Sequence, residues 1–84
     1  MFDMMDKEKT IEFRGEEFPA FHGSPFDRGS ADSWYSRPQS PHWYPQGSYK
    51  GERIEPPNMT LAEMRAYYAG YEYNELHGGK KDWD

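Results

Sequence analysis

The side chains best suited to chemistry gather in the middle of the chain. Arg28, Arg37, Lys50 and Arg53 interleave there with Trp43, Tyr44 and Tyr49, and His42 precedes Trp43. Aromatic rings stack on unpaired nucleobases at ~1–3 kcal/mol per base, and guanidinium and ammonium groups hold phosphates. Together these eight residues read as a stacking platform for RNA. The same residue types supply hot spots in protein–protein contacts. The plainer alternative is that the rings form the core. That alternative is favoured for Trp34, Tyr68 and Tyr71, whereas Trp43, Tyr44 and Tyr49 stand open to either reading.

Other chemistries find few residues. The chain has no cysteine, which excludes disulfides, Cys-based zinc sites and a thiol nucleophile. His22, His42 and His77 are widely separated and form no H-x-x-x-H pair. There is no G-x-S-x-G, P-loop or paired-carboxylate motif. Ser24, Ser30 and Ser33 have structural uses as a helix cap and as small packing residues. The expectation is a protein that is not an enzyme and carries no cofactor. Pro38 to Pro41, PQSP, fits a PxxP pattern that many proline-rich loops share.

Charge narrows the partners. The net charge is −5, which argues against a protein held to nucleic acid mainly by electrostatics. The acidic residues crowd the two ends, and residues 28–54 are the one stretch where basic side chains outnumber acidic ones. An acidic frame around exposed aromatics also suits docking on a basic protein surface. No apolar run approaches the ~18 residues of a membrane span, and the start MFDMMDKEKT has no apolar signal region. The reading is a cytoplasmic protein with no membrane partner.

The elements that must position these residues follow from local pattern. Two Leu, two Ile, five Phe and no Val among 84 residues fall under the ~20% at which disorder becomes a fair suspicion. An aromatic content of 18% points the other way. The chain reads as a single small α+β domain over 1–84, frayed at 1–9 and 79–84. Ile11 and Phe13 alternate with Glu12 and Arg14 before Gly15, which predicts a β-hairpin over 10–18. Ser24 as N-cap and Pro25 at the first helical position start a helix over 25–36, which Pro38 stops. Residues 38–58 hold five prolines and two glycines and read as an extended loop, with a short strand over 49–54. Thr60 and Glu63 form a T-x-x-E capping box opening a helix over 60–77, closed at Gly78-Gly79. Its stripes are Leu61, Met64, Tyr68, Tyr71 and Ala62, Ala66, Ala69, Tyr73, Leu76. The Ala face should meet the thin Gly29/Ser30 face of the first helix in an antiparallel pair, with the aromatic loop folded over both. Met1, Phe2, Met4 and Met5 in the polar tail are able to dock on a neighbour, and Trp83 is expected to tuck against the domain. So little core per chain also makes a homodimer an expectation.

Three short motifs carry a family likeness. Arg28-Gly29-Ser30-Ala31 resembles the R-G-x-x-A start of the ribosome modulation factor family. Pro41-His42-Trp43-Tyr44 lies where that family has a Pro-aromatic element, and Tyr67-Tyr68-Ala69-Gly70-Tyr71 is similar to the motif of its second helix. The likeness covers about residues 26–73. The wider string also resembles small proteins carried by tailed bacteriophages. The resemblance implies a two-helix protein that binds ribosomal RNA in the cytoplasm of a bacterial host. The alternative is an acidic inhibitor or adaptor directed at a host protein.

Overall fold

The computed structural model describes residues 9–82. The docking expected of Met1, Phe2, Met4, Met5 and Trp83 lies outside the described residues. The architecture is α+β, a two-stranded antiparallel sheet with two α-helices.

Strands β1 (Thr10–Phe13) and β2 (Glu16–Pro19) pair with Ile11 opposite Phe18 and Phe13 opposite Glu16. The turn takes two residues in left-handed conformation, Arg14 at φ 56° and Gly15 at φ 80°. A two-residue turn of this hand matches the natural twist of a hairpin. Alternation then sends Phe13 and Phe18 inward, where they form a core with Ala20, Phe26 and Ala66. The rings meet as stacked and edge-on pairs, Phe18 with Phe26 at 5.5 Å and Phe13 with Tyr73 at 5.6 Å.

Helix α1 (Pro25–Trp34) starts as its sequence predicts. Ser24 accepts the Asp27 N–H at 3.2 Å, and Pro25 occupies the first turn. It ends two residues earlier than expected, and for a different reason. Ser36 adopts a left-handed φ of 60°, its N–H bonds Ser33 O, and the Arg37 N–H reaches back to Asp32 O at 2.8 Å. This is a Schellman closure, normally signalled by glycine. Serine in that place hides the signal, and Pro38 lies beyond an end already made.

Helix α2 (Leu61–His77) opens with both halves of the Thr60–Glu63 capping box in place. Its buried face is Ala66, Tyr67, Gly70 and Asn74; of the expected Ala stripe, Ala66 is in the core and Ala69 and Tyr73 pack against it, whereas Ala62 is exposed. Leu61 and Leu76 are exposed, as are Tyr68 and, on α1, Trp34, two of the three rings expected inside. Tyr67 takes that place with no exposed surface at all.

The two helices touch through backbone. A Cβ on Gly29 would strike the Tyr67 carbonyl, and one on Gly70 would strike the Phe26 carbonyl. Gly70, rather than the alanines, makes the close approach. Asn74 Nδ2 donates to Ser33 Oγ at 2.8 Å, and the Lys81 N–H bonds Trp34 O at 2.7 Å, so the residues after α2 are tied to the end of α1.

Between the helices the chain makes turns, a 3-10 turn at Pro56–Asn58 and a single antiparallel bridge between Trp43 and Ile54. The bridge replaces the strand expected over 49–54. The loop is anchored by the Tyr44 N–H on Gly23 O at 2.8 Å. Among the described residues no helix is long and apolar enough to cross a membrane.

Candidate nucleic-acid interface

A buried polar chain holds the loop to the helices. Asp32, 3% exposed near the end of α1, accepts the Tyr67 hydroxyl proton on Oδ2 and Arg37 Nη1 on Oδ1 at 3.3 Å. The Tyr67 oxygen in turn accepts the Ser40 N–H at 2.9 Å. Burial, then the hydrogen bond to Asp32, pushes the Tyr67 phenol well above its ordinary range, so it remains a donor.

His42 extends the chain. Its Nδ1 lies 2.7 Å from Ser40 O and its Nε2 lies 3.5 Å from Arg28 Nε. A carbonyl only accepts and a guanidinium only donates, so Nδ1 carries the proton and Nε2 is bare. Burial lowers the His42 pKa, and the charges of Arg53 and Arg28 lower it further against the opposing pull of Ser40 and Asp32. The unfolded chain therefore binds a proton that the fold refuses. This contribution to stability is full above pH ~6.5 and is lost as pH falls below it. The unfolding free energy from urea titrations should drop between pH 7.5 and 5.5, by no more than ~1.4 kcal/mol per pH unit for this one proton. The profile of His42→Asn should be flatter over that range, and an unchanged slope would assign the effect to another group.

Arg28 completes the network from inside. It donates to Ser48 Oγ and Tyr49 Oη, each at 3.0 Å, and lies 3.9 Å from Asp27 Oδ2. At 4% exposure its guanidinium is engaged in the loop interior and reaches solvent only in the wall of a recess beside Tyr49, in contrast to the open phosphate contact expected of it. His42 and Tyr44 are likewise buried, and both serve the interior of the loop. Trp43 is half-buried and belongs elsewhere. It lines an apolar hollow of about 230 Å³ with Phe21, Pro25, Ala62 and Ala66. Its Nε1 is buried without a hydrogen-bond partner among the described residues.

Four of the expected residues face solvent: Arg37, Tyr49, Lys50 and Arg53. Arg37, Tyr49 and Arg53 line one cleft of about 400 Å³, with Asp32, Ser40 and His42 in its wall. A second recess, about 370 Å³, shares Arg37 and Tyr49 and runs toward His22 and Asp27. Lys50 lines neither. Tyr49 thus stands between two hollows, 65% exposed, with Tyr44 5.4 Å and the Arg28 guanidinium 4.9 Å from its ring centre. Its backbone is held at a left-handed φ of 62°, a conformation non-glycine residues seldom adopt. The positive charges of Arg37 and Arg28 beside its hydroxyl lower its pKa.

Sequence reasoning missed Asp32 and Tyr67. A usable signal existed for Asp32, which sits four residues after Arg28 and one before Ser33 on the stripe that packs against α2. Among the described residues no group of three His, Asp or Glu side chains is placed to hold a metal ion. No protein-family model matches the chain, and no curated protein or solved structure matches it either.

Proposed function

We propose that this chain is a non-enzymatic RNA-binding protein that takes a short unpaired segment across the loop between its helices. The observation that carries the reading is Tyr49, an exposed ring set between two recesses and flanked by Arg37 and Arg53. A base would stack on Tyr49 while its phosphates meet Arg37, Arg53 and Lys50. The acidic remainder confines contact to that patch. Ribosomal RNA is the ligand that the likeness to ribosome modulation factor implies, and a phage protein acting in the host cytoplasm is the setting. Gly29 and Gly70, from two of the motifs that carry the likeness, both lie at the close helix contact. They support a shared two-helix scaffold, antiparallel with the loop laid over it, in which those motif glycines pack the helices.

The test is fluorescence anisotropy with short labelled oligoadenosine and oligouridine, alongside purified ribosomes. Binding should weaken with salt on a shallow slope, at roughly 0.7 per phosphate contact. Tyr49→Ala should cost ~1–3 kcal/mol, and Arg37→Ala with Arg53→Ala should flatten the salt slope. Affinity indifferent to both salt and Tyr49→Ala would end the RNA reading. Capture of one host protein that survives nuclease would put a protein-directed inhibitor or adaptor in its place, with the apolar hollow at Trp43 as its contact.

A further inference from the structure

The chain has two leucines, and both lie in solvent on the same face of α2: Leu61 is 78% exposed and Leu76 57%. Between them on that face stand Arg65, Tyr68 and Glu72, all exposed. At 3.6 residues per turn, positions 61, 65, 68, 72 and 76 form one stripe, opposite the buried Ala66, Tyr67, Gly70 and Asn74. In a protein this short of aliphatic residues, leaving both leucines out of the core calls for another explanation.

The order of the stripe supplies one. Read from either end it runs Leu, charge, Tyr, charge, Leu, with the two charges of opposite sign. Laid antiparallel on itself, the stripe sets Leu61 against Leu76, Arg65 against Glu72, and Tyr68 beside Tyr68. A two-fold axis requires this kind of self-complementarity, in which residue i meets j and j meets i. We infer that α2 is a homodimer interface, with a second copy of this chain packed antiparallel across the Leu61–Leu76 stripe.

Within one chain Arg65 pairs with Glu16 and Glu72 with Arg14 at 2.7 Å, but these pairs are open to water, with Arg65 67% and Glu72 47% exposed at the side chain. Exposed pairs are worth ~0–1 kcal/mol and readily admit a further partner. In the dimer the Glu16–Arg65 pair of one copy would join the Glu72–Arg14 pair of the other in a four-charge row from hairpin to hairpin. A hollow of about 250 Å³ between the hairpin and α2 is lined by Phe13, Phe18, Tyr68 and Ala69 together with both of these ion pairs, so it opens at the centre of the stripe, where the partner's Tyr68 would lie. One helix face falls short of the ~1,200–2,000 Å² that stable complexes bury. The dimer is therefore weak and dissociates on dilution. The interface is independent of the RNA reading.

Sedimentation velocity across a concentration series tests it. The wild type should move from monomer to dimer at tens of micromolar. Arg65→Glu alone and Glu72→Arg alone should each stay monomeric, and an equimolar mixture of the two should recover the dimer, because both cross-pairs are then complementary. Circular dichroism checks that each variant is folded. Because the chain has no cysteine of its own, a second test avoids charge changes. Leu61→Cys mixed with Leu76→Cys should cross-link on mild oxidation, while Leu61→Cys alone should not. A wild type monomeric throughout the series overturns the inference. So does a dimer that survives both single charge reversals, or a mixture that neither reassociates nor cross-links.

Discussion

Gly29→Ala and Gly70→Ala should each abolish or severely lower the cooperative thermal transition. In both positions the new methyl meets main chain, the Tyr67 carbonyl in one case and the Phe26 carbonyl in the other. A side chain can rotate away from such a clash, but a helix backbone can only withdraw whole. Withdrawal would open the Phe26–Tyr73 contact and the Tyr67–Asp32 hydrogen bond along with the glycine contact itself. Overpacking costs ~1–3 kcal/mol where side chains can adjust, so a backbone clash should cost ~3 kcal/mol or more. A chain of 84 residues has a total stability of only ~4–13 kcal/mol. Helix propensity acts in the opposite direction, since alanine is favoured over glycine by ~1 kcal/mol in a helix. A loss of stability therefore cannot come from propensity. Gly15→Ala is the control, with nothing near its Cβ and only a positive φ of 80° to strain it. It should cost ~1 kcal/mol. Melting followed by far-ultraviolet circular dichroism decides the matter, and a Gly29→Ala protein that melts at or above the wild type would mean that the helices do not touch there.

The features readable in the sequence are those decided within a few residues. Ile11 and Phe13 with Gly15 define the hairpin, Ser24-Pro25 starts α1, and Thr60 with Glu63 starts α2. Where a local rule is satisfied by an unusual residue, the reading slips, as at Ser36 in the closure of α1. The face of α2 was harder for a different reason. Tyr67, Tyr68, Tyr71 and Tyr73 nearly encircle the helix, and their hydropathy is identical. What buries Tyr67 is a partner for its hydroxyl, supplied by Asp32 and by Ser40, which lie 35 and 27 residues away in sequence. The candidate site divides in the same way. Sequence shows that Arg28 and Arg37 are charged, but not that Ser48 and Tyr49 enclose Arg28 while Arg37 remains outside. The leucines invert the usual inference from hydropathy, since an apolar residue on a helix need not face the core of its own chain.

Tyr67→Phe should destabilise the fold by ~2–3 kcal/mol, because hydrogen bonds to charged groups contribute ~1.5–3 kcal/mol and the Asp32 carboxylate has little water to turn to. The ring itself is kept, so the loss measures the hydroxyl. Asp32→Ala should cost a similar amount, and the double variant less than the sum, with a coupling of ~1–3 kcal/mol as expected for directly bonded partners. Additive losses would mean that the bond contributes little. An alkaline titration gives an independent readout. The folded state holds the Tyr67 proton more tightly than the unfolded chain does, so stability is intact below the ordinary phenol pKa of ~10 and falls as pH rises above it. Tyr67→Phe should remove that part of the alkaline loss. The consequence reaches the loop, because the same hydroxyl accepts the Ser40 N–H. Without it the Ser40 amide should exchange faster with solvent, and the cleft wall formed by Ser40 and His42 should loosen. RNA affinity should then fall in Tyr67→Phe even though Tyr67 is wholly buried and touches no ligand. Faster Ser40 exchange with unchanged affinity would separate the two roles, leaving Tyr67 as a prop for the fold and Tyr49 with its arginines sufficient for binding.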